Sequence, residues 1–152
     1  MRIFIDADAC PVKDETLKVA ARYGLETVIV SNGGMRPSRD PLVKVITVAA
    51  GADAADDWIA NETRPADIVV TADIPLAARV LERDGQPLGP TGRSFTQETI
   101  GMALAMRDLK QQVREATHTQ TRNRSFEARD RSNFLQALDR LINQTRRAQD
   151  TG

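Results

Sequence analysis

One cysteine and one histidine in 152 residues leave little room for soft-metal or disulfide chemistry. A single Cys excludes an internal disulfide, and a single His argues against a His-rich zinc centre. Aromatics are scarce as well, with four Phe, one Tyr and one Trp. The core must therefore come from Val, Ile, Leu and Ala. There is also no aromatic platform of the kind on which general single-strand binders stack bases. No apolar run approaches the ~20 residues of a membrane span, so no membrane partner is expected. In MRIFIDADAC, acids interrupt the run where a signal peptide would stay apolar. A cytoplasmic protein is the expectation.

Charge of one sign is not in excess either. The formal net charge is zero, yet residues 1–84 carry 10 basic and 14 acidic side chains, and residues 85–152 carry 11 and 7. This asymmetry fits an acidic centre beside a cationic surface for an anionic partner, or two solvated faces of opposite bias. It falls well short of the strongly basic signature of a dedicated nucleic-acid binder.

What the chain does have is short apolar runs alternating with amphipathic segments. Ile3-Phe4-Ile5 reads as a central strand buried on both faces. A first helix starts near Pro11, with Asp14 and Glu15 at the positive end of its dipole, and stops at Gly24. Val12, Leu17, Ala20 and Ala21 supply its inner face. Thr27–Val30, Leu42–Val48 and Ile68–Val70 read as further strands. Asp53–Asn61 and Ile74–Arg83 read as helices, and a short fifth strand falls within 85–92. Strands alternating with helices at this spacing predict an α/β fold. Right-handed crossovers make it a three-layer α/β/α sandwich around a mainly parallel sheet of four to five strands. One domain spans 1–152, with a C-terminal helical extension from about residue 97. The final helix covers about 130–147 and carries an apolar stripe of Phe134, Leu135, Leu138, Leu141 and Ile142. These helices either pack on the domain or mediate a homodimer. THTQTRNRSFEARD, 117–130, reads as a polar loop.

In an open parallel sheet, sites form outside the carboxyl ends of the strands, and acids recur there. FIDADACP puts Asp6 and Asp8 after strand one, two apart and so on the same side of extended chain. GADAADDWIA puts Asp53 and Asp56 on one face near the start of the second helix, with Asp57 turned away from them. TADIPLA puts Asp73 just beyond the fourth strand. Asp8, Asp53 and Asp73 could each cap a helix. Caps do not account for the surplus, because clustered carboxylates repel one another unless a cation or proton offsets them. The pattern predicts a hard-cation site, Mg²⁺ or Mn²⁺, with Asp6, Asp8, Asp53, Asp56 and Asp73 as ligands. Such metals serve phosphodiester chemistry, which makes Asp6, Asp8, Asp56 and Asp73 the catalytic candidates.

DADACPV, GADAADDWI and DIVVTADIPLA, with GRSFTQETI and MRDL further on, resemble the YaiI/YqxD family of bacterial proteins over nearly the whole chain. The resemblance implies a PIN-like fold, whose members are often metal-dependent nucleases; together with the clustered acids it makes a nuclease acting on RNA the expectation, with a non-enzymatic module that binds metal or RNA as an alternative. Asp6 would match the acid that ends the first strand of PIN domains, and Asp73 the acid after their fourth. Asp53 and Asp56 fall in the family's G-x-D-x-x-D string, and Asp57 falls outside it.

FIDADACPV also resembles the D-x-D opening of haloacid-dehalogenase-type phosphatases, and VIVSN (28–32) their second motif. Asp6 would then be the nucleophile and Asp8 the general acid/base, with Ser31 and Asn32 at the phosphoryl group. Those enzymes need a long insert between first strand and helix, for which a helix starting near Pro11 leaves no room. Arg36 and Arg39, after strand two, and Arg93, after strand five, either hold phosphates at the same rim or are solvated surface. Cys10 at a helix start could be activated; packing is the expected role.

Overall fold

A computed structural model describes residues 1–7, 10–33, 36–49, 53–106 and 126–151, with side chains to residue 149. The strands are β1 (Ile3–Asp6), β2 (Thr27–Ser31), β3 (Val43–Thr47), β4 (Ile68–Val70) and β5 (Gln86–Leu88). The helices are α1 (Lys13–Tyr23), α2 (Ala54–Glu62), α3 (Ile74–Glu82), α4 (described over 97–106) and α5 (Ala128–Thr151).

The five strands form one sheet in the order β3-β2-β1-β4-β5, and every pairing is parallel. Strand β1 lies in the middle. Its residues Ile3, Phe4 and Ile5 are wholly buried because neighbouring strands flank them and helices cover both faces. Alternation along the strands sorts the core into two layers. Ile3, Ile5, Ile29, Ile68 and Val70 pack with Val12, just before α1, with Val19 and Ala20 of α1 and with Phe134, Leu138 and Ile142 of α5. Phe4, Val28, Val30 and Val69 pack with Ile59 of α2 and Leu76 and Val80 of α3. The expected α/β/α sandwich is thus present, with five strands, all parallel.

Helix α5 does not project from the domain. Its Phe134, Leu138 and Ile142 are fully buried, and it completes the layer that α1 begins. The ion pair Arg131–Glu15 joins the two helices at their starts, at 3.7 Å. At the end of α1 the Tyr23 hydroxyl bonds Asp139 and accepts from Asn143, farther along α5 than Arg131, so the helices run parallel.

Two local expectations shift. In α1 Val19 is buried where Ala21 is exposed, since the helix turns its Thr16–Val19–Ala20 arc to the sheet. Residues 128–130 belong to α5 and not to the preceding loop, because Asp130 accepts a bond from the Glu127 N–H at 3.0 Å and opens the helix there. Gly24 ends α1 as expected. At φ 66° it donates its N–H to the carbonyls of Ala20 and Ala21, a left-handed position that glycine adopts without strain. The expected continuation of α4 to 116 and the loop over 117–125 lie outside the described residues.

Candidate functional site

The strand order reverses between β1 and β4: β2 and β3 lie to one side of β1, β4 and β5 to the other. At such a switch point the connections part and leave a crevice beyond the strand ends. Asp6 ends β1 at this crevice. It is 8% exposed, and alternation puts it on the Phe4 face, under α2 and α3.

Beyond β4 the buried Thr71 accepts the Asp73 N–H at 3.0 Å. Asp73 then caps α3, its Oδ1 accepting from the Leu76 N–H at 2.9 Å. The capping role weighed for this residue is real, and it anchors one carboxylate oxygen. Asp53 differs. It occupies the N-cap position of α2, but its side chain makes no capping bond, which leaves that carboxylate unused by the helix. One turn in, Asp56 is half-buried.

Asp56 records how close these groups are. Its pKa rises from 3.8 to about 6, first through burial and then through the charges of Asp73, Asp6 and Asp53, with Arg79 opposing. Three of the other four predicted ligands, Asp73, Asp6 and Asp53, therefore act on Asp56. The positive ends of α2 and α3 both face it and offset part of the repulsion. Asp57, set aside for its spacing, points outward and binds Arg79 of α3 at 2.7 Å. Arg79 carried no signal in the sequence; its role appears only when α3 is laid beside α2.

The remaining candidates separate from this group. Asp8 lies outside the described residues. Ser31 is buried at the end of β2 and closes a turn, donating to the Gly33 carbonyl at 3.0 Å and accepting from its N–H at 3.1 Å. Alternation sets Ser31 with Ile29 on the α1 side, opposite Asp6. Asn32, Arg36 and Arg39 are exposed in the β2–β3 connection. Arg93 is exposed beyond β5, 5.9 Å over the Phe95 ring and beside α5. Helix α1 begins at Lys13, so no hairpin intervenes after β1. Cys10 packs against the core under α1, and burial pushes its thiol up to about 11. A thiol so shifted stays protonated at neutral pH and is a poor nucleophile.

The donor set is all carboxylate, the chemistry of hard divalent cations such as Mg²⁺ and Mn²⁺. Burial raises the Asp56 pKa most and the neighbouring carboxylates raise it further, and a cation would relieve that second contribution. Among the described residues no three His, Cys, Asp or Glu stand close enough together to hold one ion. Likewise, no described helix is long and apolar enough to cross a membrane.

Comparison with known proteins agrees with the motif strings. The model of the family described as "Uncharacterized BCR, YaiI/YqxD family" matches residues 4–144. The chain is 59% identical to UPF0178 protein mlr0875 of Mesorhizobium japonicum, over 92% of this chain and 90% of that one. It is 56% identical to a UPF0178 protein of Parvibaculum lavamentivorans, over 95% of each chain. It is 54% identical to UPF0178 protein R01393 of Rhizobium meliloti, over 95% of this chain and 99% of the other. No solved structure matches. With a family match running from within β1 deep into α5, and so across every strand that carries the carboxylates, the chain belongs to the YaiI/YqxD family.

Proposed function

We propose that this protein is a divalent-metal-dependent phosphodiesterase that cleaves RNA. The observation that carries the reading is the convergence of Asp6, Asp53, Asp56 and Asp73 at the switch point of the sheet, registered in the Asp56 pKa of about 6. The PIN-like fold implied by the YaiI/YqxD resemblance, taken with these acids, supports RNA as the substrate class proposed.

Asp6, Asp53, Asp56 and Asp73, with Asp8 beside Asp6 in sequence, would have to draw closer together around Mg²⁺ or Mn²⁺ to hold it. When bound, such a cation activates water and stabilises a leaving oxygen. The protein's own groups do the rest. Asp6 is fixed by the end of the central strand, and Asp73 by its bond to the Leu76 N–H. Asp56, one turn into α2, is the carboxylate proposed to take a proton from attacking water. Arg36 and Arg39 stand exposed to meet phosphate oxygens, which position a strand without reading its bases.

The purified protein should cleave RNA when Mn²⁺ is added, and Asp6→Asn and Asp73→Asn should abolish cleavage. Equal cleavage by wild type and both variants would mark a contaminating nuclease and end the proposal. In thermal melts Mn²⁺ should raise Tm for wild type and leave Asp6→Asn unmoved. A flat response in both would reduce the carboxylates to helix caps.

A further inference from the structure

We infer that the outer face of α5 is a track for the phosphodiester backbone of RNA, separate from the carboxylate crevice. Two adjoining clefts run along this helix. The first, of about 340 Å³, lies between the turn after β5 and the start of α5 and includes Arg93, Asn133, Gln136 and Arg140. The second, of about 410 Å³, continues from Gln136 and Arg140 to Asn143, Gln144 and Arg147. Both volumes fall in the range that seats a nucleotide-sized group. Because they share Gln136 and Arg140, they form one trough.

The helix repeat explains the continuity. Asn133, Arg140 and Arg147 are seven apart, with Gln136 and Asn143 in the same register, so they line one face over about 21 Å. Gly92 holds the turn against this face. Its φ is 93°, and a Cβ there would come within 2.7 Å of the Asn133 carbonyl oxygen. Arg93 is thereby set beside the first turns of α5, at the end of the sheet where the carboxylates lie.

Charge and polarity select the occupant. Three arginines line the trough against one acid, Asp139, whose carboxylate is taken up by Tyr23 and Asn143. Among the described residues neither Arg93 nor Arg140 has a carboxylate partner. The other polar groups are amides, which donate to phosphate and sugar oxygens. Among the described residues Ala137 is the only apolar side chain lining either cleft, so the surface offers nothing for a lipid bilayer to embed. A regular row of guanidinium and amide donors, with no aromatic side chain among the described residues lining either cleft, fits a backbone and not bases. The choice of RNA rests on the proposed activity; the trough's fit to a polyanion does not.

The test is fluorescence anisotropy of a labelled single-stranded RNA with the wild-type chain in EDTA, so that binding is read without cleavage. Arg93→Gln/Arg140→Gln should weaken binding about tenfold at low salt. It should also reduce the slope of log K against log salt by about 1.4, since each phosphate contact on a single strand is worth about 0.7. Arg140→Lys should keep the slope, and Arg22→Gln, an exposed change in the last turn of α1, should keep both quantities. Unaltered melting temperatures would show the variants folded. Unchanged affinity and slope in the double variant would overturn the track. So would loss of binding to phosphatidylserine vesicles with RNA binding intact. Trough-dependent binding without Mn²⁺-dependent cleavage would sink the proposed activity alone. Cleavage with trough-independent binding would sink this inference alone.

Discussion

Asp56 and Asp73 oppose each other across the starts of α2 and α3. After burial itself, the Asp73 charge is the strongest influence holding Asp56 at about 6. Neither residue is paired in the way an ordinary buried acid is. Asp73 spends one oxygen on a helix cap, and Asp56 meets more negative charge than positive.

The pH dependence follows directly. The folded Asp56 binds its proton more tightly than the unfolded chain does, from 3.8 to about 6. The stability this contributes is full below about pH 4 and lost as pH rises through about 6. Asp56→Asn should therefore match wild type at pH 4 and exceed it at pH 8. The side chain is partly solvated, so screening limits the gain to about 1 kcal/mol. Urea melts at the two pH values check this; a variant less stable than wild type at pH 8 would contradict it.

Asp73 should separate capping from repulsion. Asn caps as well as Asp, whereas Ala costs about 1 kcal/mol. Asp73→Ala should lower Tm, and Asp73→Asn should hold or raise it. Both should move the Asp56 titration below 6, since both remove the same charge. NMR titration of the carboxyl carbons reads the shift, and an unmoved Asp56 in either variant would refute the pairing.

Thr27 carries a different kind of strain. It is wholly buried in β2, and its Oγ1 is the one buried side-chain polar atom without a hydrogen-bond partner among the described residues. Thr27→Val keeps the shape and the β-branch and removes the orphan, so it should stabilise by about 1 kcal/mol. A destabilised variant in denaturant melts would mean that the hydroxyl is satisfied in solution.

Asp67 is the opposite case. It is 2% exposed and accepts from the Arg2 N–H, the Arg2 guanidinium and the Arg64 N–H, each at 2.9 Å. It ties the chain before β1 to the chain before β4, at the edge of the sheet away from the carboxylate crevice. Asp67→Ala would strand these donors and should cost about 2 kcal/mol, less than a fully buried pair because Arg2 is partly in water. Chemical denaturation measures it, and a loss under about 0.5 kcal/mol, the scale of an ordinary surface change, would refute the argument.

Strands β1, β2 and β4 were legible because each is an apolar run bounded by breakers or acids, and β4 begins and ends where the sequence places it. The convergence of Asp6, Asp53, Asp56 and Asp73 was legible for a related reason. In a parallel sheet every strand ends at the same edge, so acids following strands must gather. Asp57 shows the helix period working in the other direction, since one position of rotation was enough to send it to Arg79. What could not be read depends on distant partners. Asp67 precedes a strand like any loop acid, and its Arg2 contact is 65 residues away. Asn133, Arg140 and Arg147 look like a solvated helix face until the turn at Gly92 is laid against them. The inner face of α1 was displaced by one position, Val19 for Ala21, because the angle at which the helix meets the sheet is not encoded in its own apolar residues.

The packing of α5 on β1 carries a consequence for how the molecule is made. Ile3 and Ile5 share a core with Phe134, Leu138 and Ile142, so β1 is covered by a helix synthesised long after it. Until α5 emerges, that face of the growing sheet is covered by α1 alone and stays partly open to water and to chance partners. A ribosome stalled before residue 128 would hold a nascent chain that cannot close its own interior, and such chains should need a chaperone until α5 is made.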